Sequence, residues 1–169
     1  DVSYKSWVKN FALNLENIWK EKSAKKLSEN TVSDTAIVIG RGPSLKNHDH
    51  LNKLKSSNHN GTIICTDGVL ATALKAGITP DRFPEFYVVT MDPSSETGRY
   101  YKDEIINKYH GKIKGIFSTV SNPNTVEKAR KLGIEIFWFH SLVDYNEGEK
   151  SFNQISALIT RAKNHENGL

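Results

Sequence analysis

Five short runs of the chain are apolar almost throughout and rich in β-branched and aromatic residues. They are TAIVIG (35–40), GTIICTD (61–67), FYVVTMD (86–92), KGIFSTV (114–120) and IEIFWFH (134–140). Runs of this kind predict buried strands, because the strands of a parallel sheet are covered on both faces. The first run, TAIVIG, is expected to be a central strand of that sheet.

The segments around these runs carry helical signals. Apolar residues recur at helical spacing from Tyr4 to Leu27, which predicts an amphipathic helix before the first strand. Further helices are predicted between the strands and after the last one, over residues 48–56, 69–77, 97–109, 124–133 and 149–164. Gly77 and Gly133 stand where two of these helices end, as helix C-terminal caps commonly do.

Strands that alternate with helices indicate βαβ units. The predicted fold is therefore α/β, a Rossmann-like three-layer sandwich with a mostly parallel sheet, preceded by an N-terminal amphipathic helix. We assign residues 1–33 to an N-terminal helical extension and residues 34–169 to one α/β domain. Because the chain starts with Asp and stops at NHENGL without a clear finish, this domain is expected to be truncated at its C-terminus.

Composition and charge argue against several classes of protein. The net charge is only +4 and the basic residues are scattered, so no nucleic-acid partner is expected. No apolar run approaches the roughly 18 residues of a membrane span, so no membrane partner is expected either. Cys65, the single cysteine, lies inside an apolar run, which favours a buried thiol in a reducing, cytoplasmic compartment. The sequence allows a homo-oligomer and does not identify the oligomeric state.

Polar residues follow the apolar runs. In parallel α/β sheets the ligand binds outside the carboxyl ends of the strands, so these residues are expected to share one edge of the sheet. A glycine-rich loop follows the first run, Asp67 and Gly68 follow the second, Asp92 follows the third and His140 follows the fifth. This arrangement predicts a binding site for a small molecule.

The loop after the first run consists of Gly40, Arg41, Gly42, Pro43 and Ser44. The two glycines lack a Cβ, so backbone N–H groups can approach an anion closely, and the serine adds a hydroxyl donor. The arginine can pair with a phosphate, and the helix that follows offers its N-terminus. The loop is neither a Walker A motif nor a complete G-x-G-x-x-G motif, and an ordinary turn with a surface arginine is the alternative.

Asp67 and Asp92 are the candidate metal ligands. Two carboxylates that face a glycine-rich loop match what a hydrated Mg²⁺ bridging a polyphosphate requires. A helix N-cap at Asp67 and the start of a turn at Asp92 are the alternatives. His140 is a candidate general base, or a group that neutralises a leaving phosphate, and a hydrogen-bonded structural histidine is the alternative.

The order of these motifs resembles a known family. The segments AIVIGRGPSLKN, IICTDGVLATALKAGITPD and FYVVTMDPS are similar to the archaeal 6-hydroxymethylpterin diphosphokinase-like (MptE-like) domain. That domain is shared with the central region of the bacterial flagellin-modifying Maf proteins. The resemblance implies that residues 34–169 are an MptE-like nucleotide-binding domain. Pyrophosphokinase-type relatives carry a cluster of acids after the third strand, where this chain keeps Asp92 alone.

The resemblance implies a nucleotide-dependent transferase. The first expectation is a Mg-ATP diphosphokinase, with ATP as substrate and a 6-hydroxymethylpterin-like alcohol as acceptor. Asp67, Asp92 and His140 would be catalytic, the two aspartates would hold Mg²⁺, and Gly68 would contact the nucleotide together with the glycine-rich loop.

Two alternatives stand beside the diphosphokinase. One is a Maf-like glycosyltransferase that uses a CMP-activated nonulosonic acid, since GRGPSLK resembles the nucleotide loop of a bacterial sialyltransferase family that uses CMP-sugars. The other is a non-catalytic nucleotide-binding module.

Overall fold

A computed structural model describes residues 2–30, 33–141 and 151–166 of the chain. Six strands form a single sheet in which every neighbouring pair is parallel. The strands are β1 (Lys22–Ser23), β2 (Ala36–Ile39), β3 (Thr62–Thr66), β4 (Phe86–Thr90), β5 (Lys114–Ser118) and β6 (Glu135–Phe139). Their order across the sheet is β1-β6-β5-β4-β3-β2. Each of the five predicted runs forms a strand.

Helices flank the sheet. The α-helices are α1 (Val2–Lys20), α2 (Ser44–Asn47), α3 (His50–Lys55), α4 (Asp67–Lys75), α5 (Pro123–Lys131) and α6 (Phe152–Glu166). Three 3₁₀ segments complete the described elements: Ala24–Asn30, Ser95–Tyr101 and Glu104–Tyr109. The predicted α/β fold of the Rossmann-like three-layer class is confirmed, and so is the amphipathic helix in front of it.

Some predicted element boundaries are wrong. The first helix ends at Lys20 rather than Leu27, because Lys22 and Ser23 pair as β1 with Phe137 and Trp138 of β6. Segment 97–109 is two 3₁₀ segments rather than one α-helix. The helix breaks at Asp103 because its carboxylate accepts a hydrogen bond from Ile105 N–H at 3.2 Å, in competition with the backbone hydrogen bonds of a continuous helix.

The C-terminal helix was predicted over residues 149–164. The structure begins it at Phe152, and residues 149 and 150 lie outside the described residues.

The position of β2 corrects another expectation. TAIVIG was predicted to be a central strand, but β2 forms one edge of the sheet and pairs with β3 alone among the described strands. Ile39 is buried in the core, whereas its neighbour Val38, on the opposite face of the strand, is 70% exposed. The apolar run therefore predicted a strand correctly here, but it did not predict whether both faces of that strand are covered.

The main core lies on one face of the sheet. Ile63 and Cys65 of β3, Val88 of β4 and Phe117 of β5 are fully buried there, in one cluster with residues of α4, α5 and the last two 3₁₀ segments. Burial raises the pKa of the Cys65 thiol to about 12, so the thiol stays protonated and packs as a small apolar side chain, as predicted.

Helix α1 is tied to the loops that follow β4 and β5. Asn14 Nδ2 donates to the carbonyl oxygens of Thr119 and Ser121, at 3.1 and 2.8 Å. One turn earlier, Asn10 Nδ2 donates to the carbonyl oxygens of Pro93 and Val120, both at 3.0 Å. Both asparagines are buried, and their i, i+4 spacing places them on one face of the helix. The helix therefore holds two loops at the carboxyl edge of the sheet.

Within the described residues, no helix combines the length and the apolar character that a bilayer crossing would need.

Replacing Asn14 with alanine should lower the free energy of unfolding by about 2–4 kcal/mol, because two buried carbonyl groups would lose their donor. Chemical denaturation followed by circular dichroism measures this. Leu13→Ala on the same helix is the control, since Leu13 is 59% exposed, and it should stay within about 0.5 kcal/mol of the parent protein. Equal effects for the two variants would contradict the tethering role of Asn14.

Candidate functional site

The strand order sets the spacing of the candidate residues. Strands β2 to β6 lie side by side in chain order, so the loops that follow them line the carboxyl edge in the same order. The glycine-rich loop after β2 and His140 after β6 are therefore separated by four strand spacings, about 19 Å at ~4.8 Å each. Asp67 and Asp92 follow β3 and β4, which lie one and two strand spacings from the glycine-rich loop.

The glycine-rich loop (Gly40–Ser44) leaves backbone donors unused. Among the described residues, the N–H groups of Gly40, Arg41 and Gly42 make no intramolecular hydrogen bond. A Cβ added at Gly40 would meet nothing within 4 Å, and one added at Gly42 would meet only Ser44 Oγ, at 3.6 Å. The fold itself does not require glycine at either position. The two glycines leave open space beside these N–H groups, which remain available to donate to an anion.

Two short helices follow the loop, α2 and α3, where one helix over residues 48–56 was predicted. Pro43 precedes α2, which spans only Ser44–Asn47. The N–H groups of Leu45 and Lys46 already donate to the carbonyls of Gly42 and Pro43, at 3.1 and 3.2 Å. A helix this short adds little dipole, so the donors available to a ligand are those of the loop itself.

Asp67 is the first residue of α4 and lies partly buried behind the loop. Its Oδ1 accepts a hydrogen bond from Gly68 N–H at 2.6 Å. Burial raises the pKa of the Asp67 carboxyl above its ordinary value, and the nearby negative charge of Asp92 raises it further. Hydrogen bonds from Gly68 and Thr90 act in the opposite direction. The two aspartates are thus close enough for their charges to repel.

Asp92 is exposed at the end of β4. Its Oδ1 accepts a hydrogen bond from Ser94 N–H at 2.7 Å, which is the geometry of a turn. Each aspartate therefore makes one local backbone contact of the kind that the capping alternatives describe. A carboxylate has about four acceptor sites, so one such bond leaves Asp67 and Asp92 able to bind a cation.

The two carboxylates fit Mg²⁺ better than zinc. Mg²⁺ is commonly held by one or two protein carboxylates, with water and substrate phosphates as its remaining ligands. In the part of the chain that the structure describes, no group of three His, Cys, Asp or Glu side chains comes together. A cation between Asp67 and Asp92 would also relieve the repulsion that raises the Asp67 pKa.

His140 is held by neighbours on both sides of its ring. Its Nδ1 lies 3.0 Å from Thr119 Oγ1 and its Nε2 lies 3.3 Å from Asn153 Oδ1. The ring also packs near Phe11 and Phe152, with centroids 6.2 and 5.8 Å away. Through these contacts His140 links β6 to α1 and α6. It also lies four strand spacings from the glycine-rich loop.

Arg99 and Tyr100 were not predicted as site residues. They lie in the 3₁₀ segment after β4, where Tyr100 Oη accepts a hydrogen bond from Arg41 Nη1 at 2.8 Å. Next to them, Tyr101 is buried and its Oη lies 2.6 Å from Thr90 Oγ1, which in turn stabilises the Asp67 carboxylate. The sequence signal was RYY at residues 99–101, shortly after the apolar run that ends in Asp92.

Comparison with known proteins gave one match. The family model described as 6-hydroxymethylpterin diphosphokinase MptE-like matches residues 9–162 of the chain. The match includes most of α1 and every strand of the sheet. No curated protein matched the chain, and no solved structure did.

The raised pKa of Asp67 predicts how Asp67→Asn changes stability with pH. The folded state holds the Asp67 proton more tightly than the unfolded state, so this group's contribution falls as pH rises through the two pKa values. Asparagine lacks that titration and keeps the acceptor oxygen for Gly68. The melting temperature of the variant relative to the parent should therefore be higher at pH 8 than at pH 4.

Thermal melts at both pH values, in buffer containing EDTA, measure this difference. Asp81→Asn is the control, since Asp81 lies in an exposed ion pair with Lys112. A relative melting temperature for Asp67→Asn that falls from pH 4 to pH 8 would contradict the burial of this carboxylate.

Proposed function

Since the chain belongs to the 6-hydroxymethylpterin diphosphokinase MptE-like family, we propose that it is a nucleotide-dependent transferase of the diphosphokinase type. Its substrates would be Mg-ATP and a 6-hydroxymethylpterin-like alcohol. The observation that carries this proposal is the pairing of Asp67 and Asp92 beside the unused N–H groups of the glycine-rich loop. Anion donors next to a carboxylate pair are what a metal-bound polyphosphate needs.

The proposed reaction moves a diphosphate from ATP to the alcohol. The hydroxyl oxygen of the acceptor forms a bond to the β-phosphorus, and the bond between that phosphorus and the oxygen bridging it to the α-phosphorus breaks. The bridging oxygen and its electron pair leave with AMP, and the hydroxyl proton passes to water. Catalysis of such a transfer depends chiefly on positioning and on stabilisation of charge.

The chain's own residues would divide this work. Backbone N–H groups of Gly40, Arg41 and Gly42 would bind phosphate oxygens, with the Ser44 hydroxyl as a further donor. Asp67 and Asp92 would hold Mg²⁺, which when bound neutralises phosphate charge. The partial burial of Asp67 lowers the local dielectric and strengthens that interaction.

A CMP-sugar glycosyltransferase is the second candidate, and one observation favours it. Among the described residues, Asp67 and Asp92 have no third acidic, histidine or cysteine side chain near them that would complete a larger metal site. A leaving nucleotide with a single phosphate depends less on a bound metal ion than a triphosphate does. The two candidates therefore differ in which nucleotide binds and in how strongly binding depends on Mg²⁺.

Thermal shift with a panel of nucleotides separates the two candidates, because a ligand that binds the folded state raises the melting temperature by mass action. ATP with Mg²⁺ should raise it, and EDTA should remove most of the shift. Asp67→Asn and Asp92→Asn should each lower Mg²⁺-dependent transfer on the order of 100-fold. A shift with CMP and none with ATP would overturn the diphosphokinase and favour the glycosyltransferase.

Gly42→Val tests whether the loop binds phosphate. The structure has room for the new side chain, whose Cβ would lie 3.6 Å from Ser44 Oγ, so stability without ligand should change by less than about 0.5 kcal/mol. The same side chain would fill the space beside the unused N–H groups and abolish the shift with ATP and Mg²⁺. Ala36→Val, an exposed position on β2 outside the loop, is the matched control and should bind normally. Normal binding by Gly42→Val would make this loop an ordinary turn.

A further inference from the structure

Two arginines share one tyrosine beside the glycine-rich loop. Arg41 Nη1 donates to Tyr100 Oη at 2.8 Å, and Arg99 Nη2 donates to the same oxygen at 3.1 Å. The two guanidinium carbons also lie 5.4 and 5.0 Å from the centroid of the Tyr100 ring. We refer to these three side chains as the arginine pair and its tyrosine.

This cluster lies across the first turn of α4. A Cβ added at Gly68 would lie 3.0 Å from Arg41 Cδ and 3.5 Å from Tyr100 Cζ. Glycine at this position therefore lets the arginine side chain and the tyrosine ring pass close to the helix, next to Asp67. The cluster connects the loop after β2 with the segment after β4, two loops that are separated by 59 residues in the chain at Arg41 and Tyr100.

The charges of the cluster are not balanced locally. Among the described residues, neither Arg41 nor Arg99 forms an ion pair with a carboxylate. Glu96 attracts Arg99 from within the same 3₁₀ segment without reaching ion-pair distance. Two guanidinium groups bound to one neutral oxygen repel each other, and an anion placed between them would turn that repulsion into attraction. Both side chains are exposed to solvent, so a ligand can reach them.

We propose that the arginine pair binds the distal diphosphate of a nucleoside triphosphate, while the loop N–H groups bind the phosphate next to the nucleoside. This inference rests on the proposed function, because it names how the same site would recognise its nucleotide. The assignment follows from charge. The distal diphosphate carries most of the negative charge of a triphosphate, and two guanidinium groups match it better than neutral N–H groups do.

Tyr100 has a positioning role in this proposal. Its hydroxyl accepts from both arginines, and its ring lies beside both guanidinium groups. An unsupported arginine loses considerable side-chain freedom when it binds a phosphate. Because Tyr100 already restricts both side chains, less of that freedom remains to be lost on binding.

Isothermal titration with three probes tests the inference: ATP with Mg²⁺, AMP, and inorganic tripolyphosphate with Mg²⁺. Arg99→Ala should weaken the binding of ATP and of tripolyphosphate about tenfold or more, since a hydrogen bond to a charged group is lost. The same variant should bind AMP with an affinity within about twofold of the parent protein's. Tyr100→Phe, which keeps the ring and removes the shared acceptor, should give a smaller loss for the same two probes. Arg161→Ala, an exposed arginine of α6, is the control for the loss of one positive charge.

The probes separate this inference from the function on which it rests. If ATP binds the parent protein and Arg99→Ala binds it equally well, the arginine pair is not a phosphate site and the proposed function stands. If tripolyphosphate binding depends on Arg99 while ATP does not bind, the arginine pair is a polyphosphate site and the diphosphokinase is wrong. If neither probe binds the parent protein, both proposals are overturned.

Discussion

Parallel hydrogen bonding across six strands is the constraint on which the candidate site depends. Every strand runs in the same direction, so every strand ends at the same edge. The chain returns through helices or 3₁₀ segments between β2 and β6, and each return adds the next strand beside the last. This regular order places the glycine-rich loop, Asp67 and Asp92 next to one another. It places His140 at a distance from the loop that a single bound nucleotide phosphate group does not bridge.

The site contains features that stability alone would not favour. Asp67 is a carboxylate whose pKa is raised by burial and by the neighbouring charge of Asp92, so its ionised form is costly at neutral pH. The guanidinium groups of Arg41 and Arg99 are held together by one phenol oxygen without a carboxylate partner among the described residues. Among the described residues, the two aspartates and the two arginines form no ion pair with each other. A metal ion and a polyphosphate are a pair of ligands that would complement both halves at once.

Buried polar contacts make the edge rigid where loops would otherwise be mobile. Asn10 and Asn14 donate four hydrogen bonds from α1 to carbonyl groups of the loops after β4 and β5. Ser121 Oγ donates to the Thr90 carbonyl at 3.1 Å and links the same two loops from within. These bonds satisfy carbonyl groups on both sides of Asp92's loop and support the backbone that carries Asp92. The N-terminal helix therefore contributes to the site without supplying a residue to it.

The sequence alone determined five of the six described strands and the residue types at the carboxyl edge of the sheet. The five apolar runs became β2 to β6, because burial within one segment shows in the composition of that segment. The placement of Gly40, Asp67 and Asp92 at one edge followed because parallel strands end together. Tertiary structure decided which strands are neighbours, and so made β2 an edge strand rather than a central one. It also paired Arg41 with Tyr100 and gave His140 its two partners. These contacts join residues far apart in the chain, and local hydrophobic patterns carry no information about which distant segment will pack against them.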